Sequence, residues 1–287
     1  MTGDLRDRVD AVLLGFLDER RDHVGSVDPA ARPLVEEVGR LLAAGGKRLR
    51  PAFCYWGFRA AGGLDGGTPG EPIVRAAASL ELLHTMALVH DDLIDGSKER
   101  RGVPSTAPWF SERAGDLGAR GEPEAFGFAM AVLVGDLAAV LADRLLLESG
   151  FPPDALVPAL AVYHPMREEM AIGQYLGLAQ GSDRGIGAPE RTAALKGGAY
   201  TIEGPLQLGA ALAGGSQEVR AALSRFGRPL SEAFQLRDDL EDGDAAPGVD
   251  AERVNGRVAA AEASLDPERM EPDAISALRR LAGRMAM

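Results

Sequence analysis

Two aspartate-rich clusters, DDLID at 91–95 and DDLED at 238–242, lie far apart in this chain. Each cluster follows an apolar run with helical spacing, so we expect both to lie at the ends of helices. On an α-helix, positions i, i+1 and i+4 fall on one side, and each cluster therefore directs two or three carboxylates toward a common point. An isolated acidic run is usually a solvated helix face. Two copies with the same spacing, both beside leucine-rich sequence, favour a chemical site instead.

Carboxylates that lie this close together repel one another unless a cation lies among them. No cysteine or histidine cluster accompanies either run, and hard oxygen donors alone favour Mg²⁺. This ion keeps several waters and shares its remaining positions with substrate phosphates. The sequence therefore predicts a magnesium–phosphate site.

The composition allows an ordinary enzyme and argues against several other classes of protein. The chain has 287 residues, 46% of them hydrophobic, which is enough to bury a large core as one large domain or two small ones. Its formal net charge of −12 argues against nucleic acid or an anionic membrane as a partner, because both are bound through basic surfaces. A phosphorylated ligand must therefore be met by local groups of basic residues.

Cysteine content and hydropathy predict a cytoplasmic protein. Cys54 is the only cysteine, so an intrachain disulfide is excluded. The start of the chain, MTGDLRDRVD, lacks the apolar core of a signal peptide. The most apolar stretch, 126–142, is interrupted by Gly135 and Asp136 and is shorter than a membrane span. We expect it to form a buried helix, and we expect no integral membrane segment.

Helical spacing of apolar residues continues along nearly the whole chain. Gly, Pro and Asp breaks separate the segments, aromatic residues make up only 5% of the sequence, and no alternating β-branched run stands out. We therefore expect few or no strands and one all-α domain with a central buried bundle, whose site faces inward. The expected helices cover 5–21, 33–45, 51–62, 72–95, 124–149, 154–180, 190–213, 217–242 and 272–286.

Two groups of basic residues are suited to meet a diphosphate. GGKRLRP at 45–51 places three cations at a predicted junction between helices, where glycines let an anion approach closely. Arg100 and Arg101 follow the first aspartate cluster by just over one helical turn. Acidic and basic groups this close can clamp a magnesium–diphosphate, with guanidinium groups on the free oxygens. His84 and His90 lie on the same helical run and are either core residues or part of this site.

These motifs give the chain a specific resemblance to a known family. It resembles the trans-isoprenyl diphosphate synthases, the polyprenyl synthetases that include farnesyl and geranylgeranyl diphosphate synthases. The matching pieces occur in family order across most of the chain. They are GGKRLRP (45–51), LELLHTMALVHDDLID and RRGVPST (within 80–106), VLVGD (132–136), GQ (173–174), Lys196 and FQLRDD (234–239).

The resemblance implies a fold and a metal centre. The implied fold is an all-α, isoprenoid synthase-type helical bundle with a central apolar cavity, formed by residues 1–287 as a single domain. A homodimer packed through long helices is also implied, with 126–147 as a candidate for both core and interface. Three Mg²⁺ per active site would be held against an allylic diphosphate. The implied metal ligands are Asp91, Asp92, Asp95, Asp238, Asp239 and Asp242.

The resemblance also implies the substrates and the residues that meet them. Such a trans-prenyltransferase condenses isopentenyl diphosphate with an allylic diphosphate and needs no side-chain nucleophile. Lys196 would act in catalysis together with the aspartates. The implied contacts of the allylic diphosphate are Arg100, Lys196 and Gln235. The implied isopentenyl diphosphate site consists of Lys47, Arg50, His84 and Arg101.

Product length is expected to depend on Met86 and Ala87. They precede Asp91 by five and four residues, which places them roughly 6–8 Å down the helix axis. In the family, residues at this level form the floor of the apolar cavity. A methionine followed by an alanine leaves more room than paired aromatic residues, and the flexible methionine yields further. We expect geranylgeranyl diphosphate as the product, ahead of farnesyl diphosphate and of longer chains.

The chain departs from the family pattern at two places. Gly197 stands where the family usually has a threonine, which removes one hydroxyl from the allylic pocket. The segment 243–265 contains no lysine, although the family carries one there for the allylic diphosphate, and the rest of the chain is short. Three explanations stay open: a reduced lid, replacement by Arg253 or Arg257, or a part of the native chain outside this sequence.

Three other functions compete with this interpretation. A terpene cyclase-like enzyme would also ionise an allylic diphosphate, but it needs no second diphosphate site. A non-catalytic partner subunit of a prenyl synthase would typically have lost carboxylates, whereas both clusters are complete. A di-iron helical bundle would use Glu81-x-x-His84 as half of its ligand set, but the second half is absent from the sequence.

Overall fold

The computed structural model describes residues 2–68, 70–179, 200–243 and 248–287. Within these ranges the chain is almost entirely helical, which confirms the predicted all-α class. A single short antiparallel hairpin, β1 (Glu99–Arg100) and β2 (Val103–Pro104), is the exception among the described residues. The helices are α1 (Thr2–Val27), α2 (Arg32–Ala43), α3 (Leu49–Ala60), α4 (Pro72–Asp95), α5 (Thr106–Glu112), α6 (Pro123–Leu147), α7 (Pro153–Ala179), α8 (Gly204–Leu212), α9 (Gln217–Asp242), α10 (Ala251–Ala263) and α11 (Pro272–Gly283).

The chain divides into two compact units. The first unit comprises 1–48 and 68–150, and the second comprises 49–67 and 151–287. Each unit contains one of the two aspartate clusters: α4 in the first unit carries 91–95, and α9 in the second carries 238–242. The single domain over 1–287 stays a prediction.

In the first unit, α4 packs against α1 and against the antiparallel helix α6. The start of α4 at Pro72 lies beside Gly150, just past the end of α6, and His90 near the other end of α4 lies beside Gly135. A side chain at position 135 would collide with the His90 ring, so the glycine allows this close approach. The packing of α6 therefore fixes the end of α4 that carries the first aspartate cluster.

The helix expected over 124–149 is confirmed as α6, which covers Pro123–Leu147. Gly135 and Asp136 lie within it without breaking it, because the glycine packs on His90 and the aspartate is exposed. The expectation that the apolar stretch 126–142 is buried is only partly right. Four large apolar side chains of α6 are at least 50% exposed: Phe128, Leu133, Val140 and Leu147.

Two helices of the described part, α4 and α6, are long and apolar enough to cross a membrane by length and composition alone. The most apolar window of α4 is 67% buried, and that of α6 is 39% buried. Core helices pass the same test, so this finding is weak evidence for a membrane span.

In the second unit, α3, α8, α9, α10 and α11 enclose a continuous apolar core. Helices α3 and α8 approach closely because Gly57 and Gly209 face backbone atoms of the other helix, where a side chain would collide. Four residues at 200–203 form a π turn that leads into α8. This core holds α9, whose last turn is the second aspartate cluster.

Candidate active site

Both aspartate clusters occupy the same kind of local structure. Each cluster forms the last turn of its helix, and each is followed by a left-handed glycine, Gly96 with φ 66° and Gly243 with φ 82°. The C-terminal end of a helix carries partial negative charge, so carboxylates there are unfavourable without a compensating cation. Two independent helices therefore end in the same acidic motif at a position that calls for positive charge.

Arg100 supplies that charge to the first cluster. Its Nε and Nη2 lie 2.9 and 2.5 Å from Asp92 Oδ1, and Nη2 lies 3.7 Å from Asp91 Oδ2. The Asp92 side chain is 5% exposed, whereas Asp95 at the end of the helix is exposed to solvent. The hydrogen bond with Asp92 outweighs the effect of burial and raises the pKa of the Arg100 guanidinium. Acidic and basic groups therefore meet here, as the sequence predicts.

The donor set of the first cluster fits Mg²⁺. Only carboxylate oxygens are present, and Asp91 and Asp95 lie on one side of the last turn of α4. Among the described residues, however, no group of three or more His, Cys, Asp or Glu side chains is arranged to hold a metal ion. Arg100 instead occupies the buried carboxylate of Asp92. A cation bound by all three aspartates would therefore compete with Arg100 for the carboxylate of Asp92.

The hairpin β1–β2 sends two adjacent arginines in different directions. Arg100 ends β1 and pairs with Val103, while Arg101 and Gly102 form the turn with φ of 56° and 76°. Positive φ at both central residues is typical of tight hairpin turns, although the first of these positions usually holds Asn, Asp or Gly rather than Arg. As a result, Arg100 contacts the end of α4, whereas Arg101 Nη1 donates to the carbonyl oxygen of Gly45.

A small cavity joins several of the predicted site residues. It measures about 20 Å³ and lies between α2, α4 and the hairpin. This volume holds about one water molecule, which is far smaller than a diphosphate. A diphosphate therefore fits here only if the side chains that line the cavity rearrange around it. Its charged or titratable lining consists of Arg48, Glu81, His84, Asp92, Arg100 and Arg101.

The basic loop at 45–48 has one exposed and one buried cation. Lys47 is exposed, whereas Arg48 is 8% exposed and forms ion pairs with Asp10 and Glu81. The buried ion pair with Arg48 occupies Glu81, which removes the proposed half-site of a di-iron bundle. Of the three cations in the motif, Arg48 is therefore committed to the protein interior.

Arg50 belongs to the second unit and is also buried. Its Nη2 donates to Thr201 Oγ1 at 2.8 Å, and its guanidinium lies 4.2 Å from the centre of the Tyr200 ring. Both partners lie in the π turn before α8. Its buried Nε has no hydrogen-bond partner within the described residues. The role of Arg50 in binding isopentenyl diphosphate stays a prediction.

The second aspartate cluster is linked to Gln235 one turn earlier on α9. Gln235 Nε2 donates to Asp239 Oδ1 at 2.7 Å, and Asp238 and Asp239 are both half-buried. The amide predicted to meet the allylic diphosphate and a carboxylate predicted to bind its metal ions therefore lie side by side. The side chain of Asp242 lies outside the described part of the structure.

A family model described as polyprenyl synthetase matches residues 32–250. The chain belongs to the polyprenyl synthetase family. Its similarity to individual members is moderate in sequence and high in structure. A short chain isoprenyl diphosphate synthase of Methanothermobacter thermautotrophicus is 31% identical over 235 residues, which cover 78% of this chain and 62% of the relative. A (2E,6E)-farnesyl diphosphate synthase of Mycobacterium tuberculosis is 32% identical over 230 residues, which cover 77% of this chain and 57% of the relative.

A solved structure of a relative covers nearly the whole chain. The geranylgeranyl pyrophosphate synthase of Corynebacterium glutamicum, complexed with isoprenyl diphosphate and magnesium, aligns with a TM-score of 0.86 at 28% identity. The alignment covers 99% of this chain and 97% of that chain. By contrast, this chain spans about three fifths of the length of the curated relatives described above.

Some residues expected from the polyprenyl synthetase pattern lie outside the described part of the structure. Lys196 and Gly197 lie outside the described residues, as does 244–247 within the segment that lacks the expected lysine. Met86 and Ala87 are described, and both are half-buried on α4, one turn before Asp91. Their effect on product length therefore stays a prediction.

Sequence reasoning missed one part of this candidate site. It did not single out Asp10, and it counted Arg48 among the cations of the basic loop without giving it a role. In the structure both residues join Glu81 in an ion-pair network, and Arg48 and Glu81 of this network line the cavity. A single acidic residue on an amphipathic helix such as α1 gives no signal that it pairs with a distant loop.

Proposed function

We propose that this chain is a magnesium-dependent trans-prenyltransferase that condenses isopentenyl diphosphate with an allylic diphosphate. The observation that carries the proposal is the meeting of Arg100 with Asp92 and Asp91 at the end of α4. An anion bound through a divalent cation needs carboxylates for the metal and a guanidinium for its remaining oxygens, and this helix end offers both. Membership of the polyprenyl synthetase family supports the same chemistry.

The chemistry proposed for this site starts with the allylic diphosphate. The bond between its first carbon and the diphosphate oxygen breaks, and the electron pair leaves with the diphosphate. Bound Mg²⁺ would supply Lewis acidity toward that leaving group. Arg100 stabilises the negative charge that develops on the leaving diphosphate, because a guanidinium offers two parallel donors to its oxygens.

The second half of the reaction uses isopentenyl diphosphate as the nucleophile. Its double bond attacks the allylic carbon, and a proton then leaves so that a new double bond forms. The released diphosphate is the proton acceptor in this proposal, which explains why no side-chain base is required. His84 and Arg101, which line one cavity, are assigned to bind the diphosphate of this second substrate, together with Lys47.

The proposed main product is geranylgeranyl diphosphate. The half-buried pair Met86 and Ala87 provides moderate room one turn before Asp91, without an aromatic side chain to stop elongation early. The geranylgeranyl pyrophosphate synthase of Corynebacterium glutamicum is structurally similar over the whole chain, which supports this choice. Relatives with other names, including farnesyl and octaprenyl diphosphate synthases, are similar in sequence as well.

We also propose that the protein is a homodimer that packs through α6. The helix has a mean hydropathy of 2.1 over its most apolar window, yet only 39% of that window is buried in one chain. Contiguous exposed apolar surface of this kind usually marks an interaction site. A second copy, which presents the same face, is the occupant that the family resemblance implies.

The test is condensation by the purified protein and by variants of the two clusters. Asp91→Ala and Asp238→Ala should each lower turnover by several orders of magnitude and leave the fold intact, because removing one of several like charges need not destabilise a helix end. Asp116→Ala, an exposed aspartate outside both clusters, is the matched control. Near-normal condensation by both cluster variants, or full activity after chelation of Mg²⁺, would contradict the proposal.

A further inference from the structure

Arg48 has an unusual backbone conformation for its residue type. Its φ is 51°, in the left-handed region that residues with a side chain seldom adopt, and its side chain is 8% exposed. Its neighbour Lys47 is exposed. A conformation of this kind persists only where the surroundings hold it, and such positions concentrate at functional sites. The loop therefore leaves the side chain of Lys47 exposed and buries that of Arg48.

Three acceptors from three elements hold the Arg48 guanidinium. Its Nε donates to Asp10 Oδ1 at 2.8 Å, Nη1 to Glu81 Oε2 at 2.8 Å, and Nη2 to the carbonyl oxygen of Leu42 at 3.0 Å. Burial alone would lower the pKa of Arg48, but the charge of Glu81 and the hydrogen bond with Asp10 raise it. Each of the three guanidinium nitrogens thus donates one hydrogen bond, and lysine has no equivalent planar geometry.

The loop backbone is also held from its other side. A Cβ at Gly46 would lie 3.2 Å from Arg48 Nη1 and 3.3 Å from Arg101 Nη1, and Arg101 donates to the carbonyl oxygen of Gly45. Gly46 therefore lies close to two guanidinium groups, with little room for a side chain. Both arginines fix the backbone from which Lys47 extends.

Glu81 connects this network to the cavity. It precedes His84 by three residues on α4, so the two side chains lie on the same side of the helix. Arg48, Glu81, His84 and Arg101 all line the same cavity. A movement of Glu81 or Arg48 would therefore displace the loop relative to His84.

We propose that Asp10, Arg48 and Glu81 form an ion triad, with Arg48 and Glu81 buried and Asp10 partly exposed, that positions Lys47 for isopentenyl diphosphate. The three residues are positioning residues and need not touch the substrate themselves. The inference rests on the proposed function and adds residues on α1 and α4 that the family pattern of basic residues does not include. A buried ion pair is weak evidence for stability, so its contribution must be separated from folding.

The test is the kinetics of Glu81→Gln and Asp10→Asn, which remove charge and keep shape. Glu81→Gln should raise KM for isopentenyl diphosphate about tenfold, because one charge-assisted hydrogen bond is lost. Asp10→Asn should raise it less, since Asp10 is 32% exposed. The KM of the allylic substrate and kcat should change less than about twofold, as expected for uniform loss of binding. Asp7→Asn, an exposed residue on the same helix, is the matched control.

A double-mutant cycle with Lys47→Ala separates positioning from stability. If the triad acts through Lys47, Glu81→Gln should add little to the KM of the Lys47→Ala variant, because the residue to be positioned is gone. Calorimetric binding of isopentenyl diphosphate and thermal unfolding are measured on the same samples. A fall in the unfolding temperature with unchanged KM, or fully additive effects in the cycle, would overturn the inference. An unchanged KM in Lys47→Ala alone would instead refute the proposed substrate site.

Discussion

Arg100 is predicted to compete with metal ions for the first aspartate cluster. Its guanidinium donates twice to Asp92 and lies near Asp91, so it neutralises the carboxylates that a metal would need. A metal ion that binds without diphosphate must first displace this arginine. With diphosphate present, Arg100 gains new acceptors on the ligand. Arg100→Gln should therefore strengthen binding of the metal alone and weaken binding of the metal with diphosphate.

The contacts of Arg100 set how much Arg100→Gln should strengthen binding of the metal alone. Hydrogen bonds to charged groups contribute about 1.5–3 kcal/mol. The Arg100 side chain is 33% exposed, and solvent screening moves the value toward the lower limit. A cost of about 1.5 kcal/mol corresponds to about a tenfold change in affinity. The dissociation constant for the metal alone should therefore fall about tenfold in Arg100→Gln.

Titration of the protein with Mn²⁺, followed by electron paramagnetic resonance, measures this change without any substrate. Mn²⁺ binds to the same carboxylate ligands as Mg²⁺. Lys98→Gln, an exposed residue just before the hairpin, removes the same charge and serves as control. The titration is then repeated with inorganic diphosphate. Unchanged or weaker binding of Mn²⁺ alone by Arg100→Gln would refute the competition.

Three further predictions concern the product, the substrates and the assembly. Ala87→Phe should shorten the main product and Met86→Ala should lengthen it, as measured by chromatography of the dephosphorylated alcohols; an unchanged distribution in both would locate the cavity floor elsewhere. Arg101→Ala should raise KM for isopentenyl diphosphate by about tenfold or more, and Lys196→Ala should raise KM for the allylic substrate by a similar factor. If each variant raised KM for both substrates equally, the assignment of two separate diphosphate sites would be wrong. Light scattering should report a dimer at micromolar concentration and a monomer for Leu133→Glu; a monomeric native protein would contradict the proposed interface.

The sequence predicts the helices that carry the aspartate clusters well. The expected bounds 72–95 and 217–242 agree with α4 and α9, because Pro72 begins the first helix and left-handed glycines end both. Helix α10 is absent from the predicted helices, although the sequence contains an N-cap and helical spacing for it. Asp250 accepts from the backbone of Arg253 as an N-cap, and apolar residues follow at helical spacing from Val254 onward.

Other features could not be predicted from residue types. The two faces of α6 are both apolar, so the pattern gives no indication that one of them is exposed. Arg48 and Arg101 adopt left-handed backbone conformations, which residue type alone would assign to glycine or asparagine. The opposite orientations of Lys47 and Arg48 depend on acceptors more than thirty residues away in the sequence. These tertiary contacts decide which of the two cations is buried and which is exposed.

Formation of a new carbon–carbon bond tests the central proposal most directly. The purified protein is incubated with Mg²⁺, carbon-13-labelled isopentenyl diphosphate and an allylic diphosphate, and the products are identified by mass spectrometry. The proposal predicts allylic products extended by labelled five-carbon units, with the twenty-carbon chain as the main species. Release of diphosphate without incorporation of label would indicate a cyclase-like ionisation, and no consumption of either substrate would indicate a non-catalytic subunit. Either result would contradict a trans-prenyltransferase.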